Sequence, residues 1–125
     1  MNVVDSSAWL EYFADGPNAE EFAAAIQDSD SLIVPSITLF EVFKRIRVQR
    51  DSEIALRAVS QIRRAKVVDL DADLAVAAAD LSADLELALA DSVILATARA
   101  FDATVWTQDV DFEGLEGVEY RAREG

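Results

Sequence analysis

The segment Asn2-Val3-Val4-Asp5-Ser6-Ser7 decides the fold prediction for this chain of 125 residues. Its two valines predict a short buried strand that ends at Asp5, and the two serines open an amphipathic run that continues through Trp9 and Phe13. The pattern therefore predicts a strand followed directly by a helix. A carboxylate at such a junction lies at the carboxyl end of the strand, where parallel α/β sheets bind their ligands.

The same alternation of short apolar strands and helices continues along the chain. Further strands are predicted at 32–34, 67–68 and 103–107, and a short run at 118–120 fits an edge strand. Helices are predicted between the strands, at 18–27, 36–50, 52–65, 72–87 and 91–102. This alternation predicts an α/β fold in which residues 1–125 form one domain. The domain has three layers, α/β/α, around a central, mostly parallel sheet of four or five strands.

The residue types that the chain lacks exclude several kinds of chemistry. It has no Cys and no His, which excludes disulfides, thiolate metal sites, Ser-His-Asp triads and mechanisms that use histidine as acid or base. Catalysis would therefore depend largely on carboxylates, and the chain has 24 Asp and Glu residues. Ligation by oxygen alone selects hard cations such as Mg²⁺ or Mn²⁺.

The apolar residues are distributed as in a protein without a membrane segment. They make up 52% of the chain, but no uninterrupted run approaches the roughly 20 residues of a spanning helix. Asp5 and Glu11 interrupt the amino terminus and no basic residue precedes them, unlike in a signal peptide. We therefore expect a cytoplasmic protein with no membrane partner.

Charge is distributed unevenly along the chain. The formal net charge of −13 argues against a polyanionic partner, because nucleic-acid binding normally depends on Lys and Arg at phosphates. Residues 44–66, which we call the basic segment, nevertheless hold eight basic residues against two acidic ones. This segment could simply be a solvated pair of Arg-rich helices. The excess of acids elsewhere fits a protein from a salt-rich cytoplasm, where ions screen the repulsion between like charges.

Four acidic residues stand in apolar or strand-end settings: Asp5, Glu41, Asp91 and Asp109. A charge flanked by apolar neighbours, as that of Glu41 is, is costly to bury unless it is paired or bound to a cation. Four carboxylates that converge on one crevice repel one another, and a divalent ion converts this repulsion into coordination. The four residues are therefore candidate ligands of a catalytic divalent cation.

Each of these acids also has a purely structural explanation. Asp5 and Asp91 could cap helix N-termini, which stabilises a helix by about 1 kcal/mol. Glu41 could form a surface ion pair with the basic residues at i+3 and i+4, worth about 0.3 kcal/mol. Asp109 and Asp111 could belong to a turn.

Four blocks of sequence surround the acids: Asp5-Ser6-Ser7-Ala8-Trp9-Leu10, Ser36-Ile37-Thr38-Leu39-Phe40-Glu41-Val42, Leu89-Ala90-Asp91-Ser92-Val93-Ile94-Leu95-Ala96-Thr97-Ala98 and Thr107-Gln108-Asp109-Val110-Asp111-Phe112. In this order they resemble the signature blocks of PIN-domain ribonucleases, most closely the VapC-type toxins of toxin–antitoxin pairs. The resemblance implies an endoribonuclease that uses Mg²⁺ or Mn²⁺ and a metal-activated water to hydrolyse RNA, with the 3′ oxygen as leaving group. It also implies three partners, namely an RNA substrate, a cognate antitoxin protein and a second copy of the chain in a homodimer.

The resemblance assigns roles to individual residues. The acidic positions that bind the catalytic metal in the family match Asp5, Glu41, Asp91 and Asp109. Asp111 matches an auxiliary acid that also binds the metal, and Ser6 and Thr107 match small hydroxyl residues that help to hold the site. The chain departs from the family at Glu86 and Ala88, where relatives often have Gly and Pro in the turn before the third block.

An RNA substrate gives the basic segment a functional interpretation. Lys44 and Arg45 lie one helical turn from Glu41 and are candidates for binding the RNA backbone. Part of this surface could instead meet the antitoxin or a second copy of the chain. The nearby aromatic residues are expected in the core rather than stacked on nucleobases: Trp9, Tyr12, Phe40 and Phe43.

Two other classes of function fit parts of the sequence. A phospho-acceptor signalling domain shares the size, the parallel α/β architecture and the acids at strand ends around Mg²⁺. Such domains usually rely on a lysine after a late strand, whereas both lysines of this chain, Lys44 and Lys66, come earlier. A catalytically silent binding module would bind metal without turnover.

Overall fold

The computed structural model describes residues 1–124, which form five β-strands, six α-helices and two short 3₁₀ turns. In chain order the strands and α-helices are β1 (Asn2–Val4), α1 (Ser6–Phe13), α2 (Ala19–Gln27), β2 (Leu32–Pro35), α3 (Ser36–Gln49), α4 (Ser52–Ile62), β3 (Lys66–Val68), α5 (Ala72–Leu85), α6 (Leu89–Ala100), β4 (Thr104–Thr107) and β5 (Val118–Tyr120). The 3₁₀ turns are Ser29–Ser31 and Val110–Phe112. The predicted α/β class is therefore confirmed.

The five strands form a parallel sheet in the order β3-β2-β1-β4-β5. Strand β1 lies at the centre, with Val3 opposite Ile33 of β2 and Val105 of β4. The chain builds outward from β1 through β2 to β3, and then crosses to the other side of β1 for β4 and β5. The strand order therefore reverses between β1 and β4. Ligands of such sheets bind in the crevice beyond the carboxyl ends of the strands at this reversal.

The side chains of the central strands alternate between two apolar cores, because successive residues of a strand point to opposite faces. Val4 and Val34 pack with helices α1, α2, α3 and α4 on one face of the sheet. Val3 and Ile33 point to the other face, which α5 and α6 cover. The three-layer α/β/α arrangement predicted from the sequence is therefore confirmed.

The ends of some helices differ from the prediction. Helix α5 ends at Leu85 instead of residue 87, and α6 begins at Leu89 instead of residue 91. Glu86 has a φ of 55°, in the left-handed region, and this conformation ends α5. Helix α4 likewise ends at Ile62 instead of residue 65. No α-helix among residues 1–124 is both long enough and apolar enough to cross a membrane.

Candidate active site

The four acids singled out in the sequence line one cleft of about 770 Å³. Asp5 follows β1 directly, and Asp109 lies just beyond the end of β4. Glu41 reaches the cleft from α3, and Asp91 reaches it from the first turn of α6. The structure therefore brings these residues together at the point where the strand order reverses. Their catalytic and metal-binding roles remain predictions.

Three hydrogen bonds hold the Asp5 carboxylate. Asp5 is the N-cap of α1, and its Oδ1 accepts from the backbone N–H of Ala8 at 2.9 Å. The same oxygen accepts from Ser7 Oγ at 2.7 Å, a partner that the sequence analysis did not single out. Oδ2 accepts from Thr107 Oγ1 at 2.6 Å. The structural alternative for Asp5 therefore holds, since Asp5 caps α1, and the same carboxylate also lines the cleft.

The surroundings of Asp5 favour its protonated form. Burial raises the pKa of this carboxyl from 3.8 to about 6, since only 2% of the residue is exposed. The hydrogen bonds from Thr107, Ala8 and Ser7 oppose the shift, and the negative charge of Asp109 adds to it. A cation in the cleft would stabilise the ionised form and lower the pKa again.

Thr107 connects the acids at the ends of β1 and β4. Its buried hydroxyl donates to Asp5 and accepts from the backbone N–H of Asp109 at 2.9 Å. Asp109 Oδ1 in turn accepts from the backbone N–H of Asp111 at 2.9 Å, which begins the 3₁₀ turn Val110–Phe112. Asp109 and Asp111 therefore do belong to a turn, which was the structural alternative for them, and Thr107 fixes that turn relative to the Asp5 carboxylate.

Ser6 orients Glu41. The Ser6 hydroxyl donates to Glu41 Oε1 at 2.6 Å across 35 positions of sequence. The structural alternative for Glu41, an ion pair with Lys44 and Arg45, does not hold, because no such pair forms among residues 1–124. The hydrogen bond from α1 directs the Glu41 carboxylate toward the cleft instead.

Burial and four neighbouring acids disfavour the ionised form of Asp91. Burial raises the pKa of this carboxyl from 3.8 to about 7, and the negative charges of Asp109, Asp5, Glu41 and Asp111 add to the shift. The alternative that Asp91 caps a helix does not hold, because Asp91 lies inside the first turn of α6 and Ala88 is the N-cap. Helix capping therefore does not account for a carboxylate at this half-buried position among other acids.

Three carboxylates lie close enough together to share a cation. One oxygen from each of Asp91, Asp109 and Asp111 lies within 4.8 Å of the other two. Asp5 and Glu41 line the cleft beside this trio without belonging to it. Carboxylate oxygens in a cluster of like charge are the ligands that Mg²⁺ and Mn²⁺ prefer. The residues present therefore fit a hard divalent cation.

Cationic side chains form part of the rim of the cleft. Lys44, Arg45 and Arg50 line it from α3 and the residue that follows, and Arg123 lines it from the carboxyl-terminal segment. Phe40 lies at the same rim, 65% exposed, with its ring centroid 5.8 Å from Lys44 Nζ. The prediction that Phe40 belongs to the core is therefore wrong, because α3 turns this residue away from its buried face. The other three aromatic residues of that prediction belong to the core or pack against it.

A buried polar network beside the acids was missed in the sequence analysis. Asn18 is 4% exposed, and its Nδ2 donates to Gln108 Oε1 at 3.1 Å and to the Ala122 carbonyl at 2.9 Å. Its backbone N–H donates to Glu11 Oε2 at 2.8 Å. Gly16 lies so close to the Glu11 carboxylate that a Cβ atom would collide with it. The Gly-Pro-Asn sequence predicts a break between helices, but it gives no sign of partners so distant in the chain.

The amino-acid sequence matches the family model described as PIN domain over residues 3–118. This match spans all four acidic blocks. No curated protein sequence matches the chain.

Solved structures share the fold over nearly the whole chain. A chain in a toxin–antitoxin complex from Klebsiella pneumoniae has a TM-score of 0.79 and 22% identity, and the alignment covers 95% of this chain and 96% of that one. VapC20 of Mycobacterium tuberculosis, described as a Sarcin-Ricin loop cleaving toxin, has a TM-score of 0.78 and 20% identity, with 95% and 98% covered. VapBC2 from Rickettsia felis, bound to a DNA fragment from their promoter, gives a TM-score of 0.74 at 15% identity, with 98% of both chains covered. At these identities the likeness concerns the fold.

Proposed function

This chain belongs to the PIN domain family, and from that membership we propose that it is an endoribonuclease toxin of the VapC type that depends on Mg²⁺ or Mn²⁺. One observation carries the proposal, namely the convergence on one cleft of Asp5, Glu41, Asp91 and Asp109. Such a cluster destabilises the fold, because like charges repel and burial disfavours ionised carboxyls. The raised pKa of Asp91 reflects that cost. A bound divalent cation would reverse it.

The acids have distinct places around the proposed cation. Asp91, Asp109 and Asp111 would hold it, since their oxygens already lie within 4.8 Å of one another. Asp5 and Glu41 would complete its surroundings from β1 and α3. A divalent cation bound here would lower the pKa of a water molecule and stabilise negative charge on a phosphoryl oxygen.

Three hydroxyl groups hold the carboxylates of Asp5 and Glu41 in place by hydrogen bonds. Ser7 and Thr107 donate to Asp5, and Ser6 donates to Glu41. Each of these hydrogen bonds restricts the rotamer of its carboxylate, and those to Asp5 also stabilise its ionised form. We propose that these contacts reduce the reorganisation that cation binding would otherwise require.

RNA is the substrate that we propose for the cleft. The chain has a net charge of −13, so most of its surface repels a polyanion. Lys44 and Arg45 line the cleft beside Glu41 and would bind phosphates of the backbone. Cations at this rim would direct the strand to the acids rather than to other parts of the surface.

The partners that we propose are those expected of a VapC-type toxin. The Klebsiella pneumoniae structure is a toxin–antitoxin complex, and the Mycobacterium tuberculosis protein is described as a cleaving toxin. We therefore propose a cognate antitoxin as protein partner, a homodimer as the toxin's own assembly and the cytoplasm as the place where both meet RNA. The family match argues against the phospho-acceptor alternative.

Cleavage of total RNA tests the proposed activity. The purified chain and its Asp91→Asn variant are incubated with RNA and Mn²⁺, beside Asp84→Asn, which removes the same charge from an exposed position on α5. We expect the wild type and Asp84→Asn to give products with 5′ phosphates, and no products in EDTA. The cleavage rate of Asp91→Asn should be lower by about 100-fold. A wild type that binds Mn²⁺ but cuts no RNA, over varied salt and substrates, would establish the silent binding module instead.

A further inference from the structure

The carboxyl-terminal segment, residues 121–123, is fixed beside the cleft by contacts with distant parts of the chain. The backbone N–H of Arg121 donates to the Thr107 carbonyl at 2.9 Å, which extends the pairing of β4 and β5. Asn18 Nδ2 donates to the Ala122 carbonyl at 2.9 Å. Both bonds are made by backbone atoms of the segment, so the position of the segment does not depend on its exposed side chains.

Asn18 ties the position of this segment to the acidic site. Its side-chain amide has two protons to donate, and it makes one bond to Gln108 and one to Ala122. Gln108 directly precedes Asp109. A buried amide with both bonds made in this way is costly to displace. The segment therefore keeps its place relative to the turn that carries Asp109.

The two arginines of this region differ in their partners. Arg121 pairs with Glu21 and Glu119 at 3.3 Å, and its guanidinium lies 5.6 Å from the Trp106 ring centroid. Arg123 forms no ion pair among residues 1–124, although five acidic residues line the same cleft. Its charge is therefore available to a ligand.

Cations reach the cleft from both sides of the acids. Lys44 and Arg45 lie on α3, which follows β2, whereas Arg123 follows β5. In the sheet, β2 and β5 flank the central pair β1 and β4, whose carboxyl ends carry Asp5 and Asp109. An extended polyanion held at both rims would pass over the acids.

On the basis of the proposed nuclease function, we propose that Arg123 is a substrate-binding residue that contacts an RNA phosphate on the side of the acids opposite Lys44 and Arg45. Asn18 is then the positioning residue that holds the carboxyl-terminal segment for this contact. The contact binds the substrate and the transition state alike, so it affects KM rather than kcat.

Steady-state cleavage of a labelled single-stranded oligoribonucleotide with Mn²⁺, at several salt concentrations, tests the proposal. The variants are Arg123→Gln, Arg123→Lys, Asn18→Ala and Arg99→Gln, the last a matched loss of charge at an exposed residue of α6. For Arg123→Gln we expect KM to rise about 5-fold at constant kcat. The slope of log(kcat/KM) against log[salt] should become shallower by about 0.7, which is the value for one phosphate contact of a single strand. Asn18→Ala should raise KM by a smaller factor, Arg123→Lys should restore the slope, and Arg99→Gln should match the wild type.

The outcomes separate this inference from the proposed function. If the wild type cuts RNA and Arg123→Gln behaves like Arg99→Gln, the inference is overturned and the nuclease stands. A defect in Arg123→Gln that Arg123→Lys does not relieve, with an unchanged salt slope, also overturns it, because such a defect is structural. If the wild type cuts no RNA, the proposed function and this inference both fail.

Discussion

The Thr107 hydroxyl donates to Asp5 Oδ2 at 2.6 Å and so joins residues that are 102 positions apart. The same oxygen of Thr107 accepts from the backbone of Asp109. One buried hydroxyl therefore sets the spacing between the two strand ends that carry acids. Its removal should affect the ionised site far more than the protonated one, because the bond to a charged carboxylate is the stronger one.

Thr107→Val tests this relationship through its pH dependence. We expect the variant to lose about 1–3 kcal/mol of unfolding free energy at pH 8, where Asp5 is ionised and loses a donor, and much less near pH 4, where it is protonated. Thr38→Val is the matched control, because Thr38 is buried and its hydroxyl has no hydrogen-bond partner among the described residues. Urea unfolding at both pH values measures the difference. Equal losses at pH 4 and pH 8 would contradict a role for Thr107 in stabilising the carboxylate.

Asp91→Asn should stabilise the metal-free fold in a pH-dependent way. The pKa of Asp91 is raised from 3.8 to about 7. Well below pH 4 the group is protonated in both the folded and the unfolded chain, so the substitution has little effect, and at pH 4 the effect is still small. As the pH rises to 7, the unfolded chain ionises first, and the wild type loses stability that the variant keeps.

After allowance for solvent screening at this half-buried group, we expect a gain of about 1–2 kcal/mol for Asp91→Asn at pH 8 in EDTA. Asp84→Asn, at an exposed position, should show no such gain. Thermal or urea unfolding in EDTA at pH 4 and pH 8 gives the comparison. A gain that does not grow with pH would mean that neither burial nor the neighbouring acids disfavour the ionised form of Asp91 in the folded chain.

Glu86→Gly should stabilise the chain. Glu86 ends α5 with a φ of 55°, which glycine adopts without the steric cost that a side chain brings. The substitution also removes a negative charge from the carboxyl end of a helix. We expect a gain of about 0.5–1 kcal/mol in unfolding free energy.

Glu113→Gly is the control for this substitution, because Glu113 is exposed but has a φ of −59°. There the added freedom of the unfolded chain should destabilise the protein. Chemical unfolding of both variants decides the matter. A loss of stability in Glu86→Gly equal to that in Glu113→Gly would show that the left-handed conformation is not strained.

The fold could be predicted because its signals are local. Apolar runs such as Val3-Val4 are too short and too apolar for a surface helix, and each is followed by an amphipathic segment. Alternating strands and helices leave few topologies. The end of α5 was misplaced because Glu86 adopts a conformation that its residue type does not signal.

The site could be predicted in part. The ends of β1 and β4 are fixed by the fold, so Asp5 and Asp109 could be placed at one edge. Asn18 and Arg123 could not, since the contacts that place this region join Asn18 to residues 90 and 104 positions away. Phe40 was misplaced because hydrophobicity alone does not tell a buried face of α3 from the rim of a cleft.

The central claim is that the clustered carboxylates share a hard divalent cation, and calorimetric titration of the metal-free chain with Mn²⁺ near pH 6.5 tests it most directly. We expect saturable binding to the wild type and to Asp84→Asn, with proton release, because Asp91 has a pKa of about 7 and Asp5 one of about 6 before the metal binds. Binding to Asp91→Asn should be weaker by about 10- to 100-fold. No saturable binding to the wild type, or equal affinity in Asp91→Asn, would contradict the claim.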